Sequence, residues 1–89
     1  MPICKQVWFT GQVQGVGFRY TTQGLARGFA VTGYVKNLPD GRVELTAEGE
    51  PQEVANFLRT VANHLAAYIH HQEERDSPAR GFGDFSIRP

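Results

Sequence analysis

The stretch Val31-Thr32-Gly33-Tyr34-Val35-Lys36-Asn37-Leu38-Pro39-Asp40-Gly41-Arg42-Val43-Glu44-Leu45-Thr46-Ala47-Glu48 reads as two strands around a turn. Val31, Tyr34 and Val35 are β-formers, so residues 31–38 are expected to be extended. In Leu38-Pro39-Asp40-Gly41 the proline pre-sets φ and the glycine supplies the positive φ of a tight turn. Residues 42–48 then alternate. Val43, Leu45 and Ala47 fall on one side, and Arg42, Glu44, Thr46 and Glu48 on the other. Period two marks a strand with one buried face, and two such runs around Pro-Asp-Gly predict a hairpin.

Helical patterns flank the hairpin. Upstream, Phe18, Thr22, Leu25, Ala26 and Phe29 recur at helical spacing. Gly24 and Gly28 each cost about 1 kcal/mol against alanine inside a helix, and Gly28 is an alternative stop. Downstream, Gly49-Glu50-Pro51 opens a second helix with Pro51 in its first turn. Glu50 and Glu53 suit the positive end of its dipole. Val54, Phe57, Leu58, Val61 and Leu65 make one apolar stripe.

Further out, residues 6–13 alternate as a strand, with Val7, Phe9 and Val13 opposite Gln6, Thr10 and Gln12. Trp8 falls on the polar side, where an open sheet face can carry one aromatic. Residues 68–74 are a candidate strand, and His70-His71-Gln72-Glu73-Glu74 suits a charged sheet edge. Residues 76–81 read as loop, and Phe85 and Ile87 alternate in a short final strand. The order β-α-β-β-α-β predicts one α+β domain over residues 1–89. It is a ferredoxin-like sandwich with two helices on one face of an antiparallel sheet and a short extra C-terminal strand. Such a fold hosts many activities and decides none by itself.

Lys plus Arg equals Asp plus Glu, at nine each. A neutral chain has no global field to draw it to nucleic acid or an anionic membrane, so neither is expected as a partner. The strand at 42–48 also lacks an aromatic pair on which bases would stack. No run approaches the roughly 18 apolar residues of a membrane span. The N-terminus lacks the charged and apolar regions of a signal peptide. A cytoplasmic protein is expected. Cys4, the only cysteine, reads as a free thiol near a frayed terminus, with no partner for a disulfide or a metal cage. Adjacent His70 and His71 would point to opposite faces of a strand and not share an ion. With His64 they read as surface residues, and no metal is expected. Tyr20, Tyr34 and Tyr68 read as packing residues.

The chemistry concentrates in Gln14-Gly15-Val16-Gly17-Phe18-Arg19, which joins a strand to a helix. Successive backbone N–H groups in such a loop can form an anion nest. The helix adds its unsatisfied N–H groups and dipole. Arg19 adds a guanidinium fork matched to two phosphate oxygens. The loop lacks GxxxxGK[ST] and the third glycine of the dinucleotide fingerprint. By spacing alone, a phosphate cradle and a purely structural glycine turn are equally good readings.

Two longer segments separate these readings. Gly11-Gln12-Val13-Gln14-Gly15-Val16-Gly17-Phe18-Arg19 and Gly33-Tyr34-Val35-Lys36-Asn37-Leu38-Pro39-Asp40-Gly41-Arg42-Val43-Glu44 resemble the first and second signatures of the acylphosphatase family. The similarity runs from about Val7 to Gly49, more loosely through the second helix, with a Phe-x-Ile ending. Tyr34 stands where that family often has Trp, Ala30 where it usually has Gly, and Asn63-His64-Leu65 where a Gly-Pro pair is common. The resemblance implies the same ferredoxin-like fold. It implies a phosphate-binding arginine at Arg19, a water-orienting asparagine at Asn37, and cradle amides from Gly15, Val16, Gly17, Phe18 and Arg19.

The implied activity is metal-independent hydrolysis of a small acyl phosphate to a carboxylate and inorganic phosphate. The phosphate would also be a competitive inhibitor. The leaving carboxylate belongs to an acid of pKa about 4, so it departs as an anion without a general acid. No cofactor is expected, and a free-standing monomer is. The alternatives are a non-catalytic module, as acylphosphatase-like domains form in larger carbamoyl-transfer proteins, and a ferredoxin-like nucleic-acid binder.

Overall fold

A computed structural model describes residues 1–89. In chain order it has β1 (Ile3–Gly11), α1 (Phe18–Ala26), β2 (Val31–Asn37), β3 (Val43–Gly49), α2 (Pro51–His64), a 3-10 turn (Ala66–Tyr68), β4 (Ile69–Ser77) and β5 (Phe85–Arg88). The sheet order is β4-β1-β3-β2-β5. The first four strands pair antiparallel. The extra strand β5 runs parallel to β2, which makes the sheet mixed at that edge.

Strand alternation sets the core. Val7, Leu45, Val35 and Ile87 form one row across four strands, and Phe9, Val43 and Asn37 form the next. Both helices pack on this face and contribute Phe18, Ala26, Val54, Phe57, Leu58 and Val61. Each large side chain buried here contributes about 1.5–3 kcal/mol by leaving water. The whole predicted stripe of α2, including Leu65, is buried.

Helix α1 stops earlier than its apolar spacing suggests. Arg27, Gly28 and Phe29 donate N–H bonds to carbonyls three residues back, which tightens the chain out of the helix. Phe29 still packs on Phe57, with ring centroids 5.8 Å apart. Strand β1 likewise ends at Gly11, and Val13 is buried from the loop that follows. At Gly33, φ is +140° and any Cβ would collide with the Thr46 carbonyl, so only glycine fits between these paired strands.

The polar strand β4 lies at a sheet edge, as its charge suggests, but it extends to Ser77. The chain then crosses from one edge of the sheet to the other in residues 78–84. Two residues expected outward are buried. Glu48 is buried, because its carboxylate accepts N–H bonds from Arg80 at 2.6 Å and Gly81 at 3.0 Å. Thr46, also expected outward, is fully buried between Gln6 and Tyr34 on the same face. Nor is Cys4 at a frayed end. It is buried in a strand paired on both sides.

The face away from the helices is tied together by polar and aromatic contacts. Trp8 Nε1 donates to Glu44 at 2.9 Å, and the Tyr34 hydroxyl donates to the other Glu44 oxygen at 2.7 Å. Phe82 meets Tyr34 edge-on at 5.9 Å. Trp8 therefore does pack on the open face.

Candidate active site

Four tethers fix the loop between β1 and α1. The Gln12 N–H donates to the Tyr68 carbonyl at 3.0 Å. Gln14 Nε2 donates to the carbonyls of Leu38 at 2.8 Å and Arg42 at 3.0 Å, which ties the loop to the β2–β3 turn. Phe18 is buried against Phe9, with centroids 5.1 Å apart. Because Phe9 shares a row with Val43 and Asn37, this contact sets the first turn of α1 over the end of β2.

Backbone signs alternate through the loop. Gly15 has φ +78° and Gly17 φ +77°, whereas no residue other than glycine has positive φ. This alternation is the geometry that turns successive N–H groups toward one concavity. Nothing lies within 4 Å of a Cβ built on either glycine, so the requirement here is conformational rather than steric. Gly17 caps α1 with no side-chain hydrogen bond, and the first turn holds no acidic residue. The N–H groups and positive dipole end of α1 therefore remain available to an anion.

A cleft of about 190 Å³ lies in front of these groups. Gly15 and Gly17 line it from the loop, Phe18, Arg19 and Tyr20 from α1, and Asn37 from the end of β2. Val13 and Ile87 complete its walls. The two side chains singled out by sequence thus share one cleft. Val16 does not line it; its side chain packs against the core.

Arg19 is oriented from outside its own element. Its Nη1 donates to the main-chain carbonyl of Arg88 at 3.0 Å. Guanidinium has five N–H donors, so most remain free to meet a ligand. Nearby, the Asp40 carboxyl is held below its ordinary 3.8, first by the Arg42 N–H and then by the Arg42 guanidinium. That pairing, at 2.8 Å, keeps Arg42 on the turn.

A larger groove of about 380 Å³ runs between α2 and β4. It is lined by Ile3, Val54 and Leu58 among others, and by Lys5, whose ammonium is engaged by Asp76 and Glu74. The start of α2 borders it, but Pro51 there has no N–H to offer, Glu53 puts an acidic side chain in that first turn, and the loop glycines are absent, so the smaller cleft is the better candidate for anion chemistry.

Sequence reasoning missed the Gln14 anchor, the Arg88 carbonyl and the contributions of Val13 and Ile87. It also misread Tyr20, a residue 77% exposed at the edge of the cleft instead of packed. Gln14 sat inside the first signature, but its two acceptors are 24 and 28 residues away. No local pattern encodes such a contact.

The acylphosphatase sequence profile matches residues 5–87. A curated acylphosphatase of Methanospirillum hungatei is 42% identical over 81 residues, covering 89% of each chain. The crystal structure of acylphosphatase from Bacillus subtilis superposes with a TM-score of 0.88 at 33% identity, covering 98% of this chain and 99% of that one. HypF of T. kodakarensis matches with a TM-score of 0.84 at 28% identity, over 98% of this chain but only 12% of its own. Profile, sequence and architecture agree, and the chain belongs to the acylphosphatase family.

Proposed function

We propose that this protein is a cytoplasmic, metal-independent acylphosphatase, with residues 1–89 acting as one monomeric domain. It hydrolyses the carboxyl–phosphate bond of a small acyl phosphate. Arg19 and the amides of residues 15–19 bind the phosphate oxygens and stabilise their charge in the transition state. Asn37 holds a water in line with the breaking P–O bond. The water attacks phosphorus, and the carboxylate leaves with the bonding electron pair. The water's proton passes to a phosphate oxygen or to solvent, because an amide is not a base. Phosphoryl transfer depends mainly on such positioning and charge stabilisation. Inorganic phosphate, the product, competes for the same cradle.

The observation that carries this reading is the presence of Arg19 and Asn37 on one cleft beside an uncapped helix start. Membership of the acylphosphatase family supports the reaction class. The test is release of phosphate from benzoyl phosphate with EDTA present. Turnover is expected to be unchanged by the chelator, and a chelator-sensitive rate would refute metal independence.

The match to a short part of HypF favours a second reading, a non-catalytic module within a larger protein. In that case phosphate would bind, but no acyl phosphate would be hydrolysed.

A further inference from the structure

Arg19 is the only cation lining the cleft. Other cations lie near its elements in sequence, but the fold sends them elsewhere. Lys36 precedes Asn37 on β2 and so projects from the opposite face, in register with Glu44 and Arg88. The Arg88 guanidinium lies 3.9 Å above the Tyr34 ring, also on that face. Arg42 is bound to Asp40. The cleft therefore offers countercharge for one anionic group.

Beside Asn37 and the loop glycines, the rest of the lining is apolar or aromatic. Val13 is fully buried and Ile87 partly so. Tyr20 directly follows Arg19 in the first turn of α1 and is 77% exposed. An exposed ring at the rim of an anion site offers its faces to whatever the anion is attached to, and aromatic and apolar groups prefer such contacts.

Given the reading that Arg19 binds the phosphate of an acyl phosphate, we propose that Tyr20 selects the acyl group. Its ring packs against an aromatic or apolar acyl moiety as the phosphate enters the cradle. An acyl group carrying a second phosphate meets no countercharge there and is disfavoured. The substrate class is thus an uncharged acyl phosphate.

Three substrates test this: benzoyl phosphate, acetyl phosphate and 1,3-bisphosphoglycerate. They would be compared by kcat/KM in the native protein and in Tyr20→Ala and Tyr20→Phe. The native protein should favour benzoyl phosphate and turn over 1,3-bisphosphoglycerate least efficiently. Tyr20→Ala should lower the benzoyl-to-acetyl ratio about tenfold, the scale of one aromatic contact, and Tyr20→Phe should keep it. A ratio unchanged in Tyr20→Ala, or a native preference for 1,3-bisphosphoglycerate, would overturn the proposal. Calorimetric affinities for benzoylphosphonate and acetylphosphonate read the same selectivity without turnover. Loss of hydrolysis with the binding ratio intact would sink the hydrolase reading and leave the Tyr20 assignment standing.

Discussion

Arg19 Nη1 donates to the Arg88 carbonyl at 3.0 Å, so strand β5 holds the one cation of the cleft. The same strand pairs with β2 through Val35 and Ile87 and through Lys36 and Arg88. The anchor of Arg19 therefore sits beside the strand that ends in Asn37. Arg88 is itself held by its stack on Tyr34, whose hydroxyl donates to Glu44. A chain of contacts on the far face of the sheet thus orients a side chain on the near face.

Arg88→Ala should expose that dependence. The carbonyl survives, but the strand end loses a cation–π contact worth about 0.5–1 kcal/mol at an exposed site. The KM for an acyl phosphate is expected to rise about two- to fivefold, with a smaller change in kcat. Steady-state kinetics would show it, and an unchanged KM would show that the Tyr34 stack does not help to position the carbonyl that holds Arg19.

Arg19 and Asn37 should fail differently. Arg19→Lys keeps the charge but loses the fork, so phosphate should bind about tenfold or more weakly, the worth of one charged hydrogen bond. Asn37→Ala should bind phosphate normally while losing about 10²–10³ in kcat, the scale of one positioning donor. Paired measurements of phosphate inhibition and single-turnover rate separate the two. Full turnover in Asn37→Ala would remove the proposed water-holding role.

Gly17 tests whether the cradle depends on backbone sign. A Cβ there meets nothing within 4 Å, so Gly17→Ala carries no clash. It must still hold φ near +77°, which costs a residue with a Cβ about 1–2 kcal/mol. Stability and phosphate affinity should both fall. Gly17→Asn should be milder, because Asn tolerates that region. Equal effects of Ala and Asn in chemical unfolding would point away from φ as the cause.

The hairpin, both helices and the charged edge strand were legible because each rests on local periodicity or turn chemistry. The inward set Val43, Leu45 and Ala47 is buried as alternation predicts. The outward set was only half legible. Glu48 is covered because residues 78–84 cross its face, held by bonds from Arg80 and Gly81 more than 30 residues away, and Thr46 is covered once Gln6 and Tyr34 are paired on either side of it. The cleft shows the same division. The glycines and Arg19 suited an anion nest and a structural turn equally, and the row Phe9–Val43–Asn37 brings Asn37 to their cleft only once β1, β3 and β2 are paired. Family resemblance singled out Asn37, which periodicity could not.

Gln14 should couple loop and turn through its donors. Gln14→Ala removes two bonds, to Leu38 and Arg42, and should cost about 1 kcal/mol of stability. The larger effect should be on kcat, since the loop then shifts relative to Asn37. Gln14→Glu should be worse than Ala, because a carboxylate cannot donate to either carbonyl. A kcat unaltered in both variants would show that the loop keeps its position without this anchor.

Cys4 should make stability depend on alkaline pH. It lies in β1 opposite Glu48 and Ser77, at 2% exposure. Burial pushes its thiol above the ordinary value of 9.0, and a hydrogen bond with Ser77 only partly offsets this. The folded thiol therefore keeps its proton at a pH where the unfolded chain has begun to lose it. The stability this represents is fully present below the unfolded pKa and is lost as pH rises toward the folded one. Urea unfolding between about pH 7 and pH 10 should show a steeper alkaline loss in the native protein than in Cys4→Ala. Tyrosine and lysine titrations are common to both chains and cancel in the difference. A thiol reagent should label Cys4 only as the protein unfolds, in step with the urea transition. Matching alkaline slopes, or rapid labelling of the folded protein, would mean that residues 78–84 do not keep this face of β1 closed to solvent.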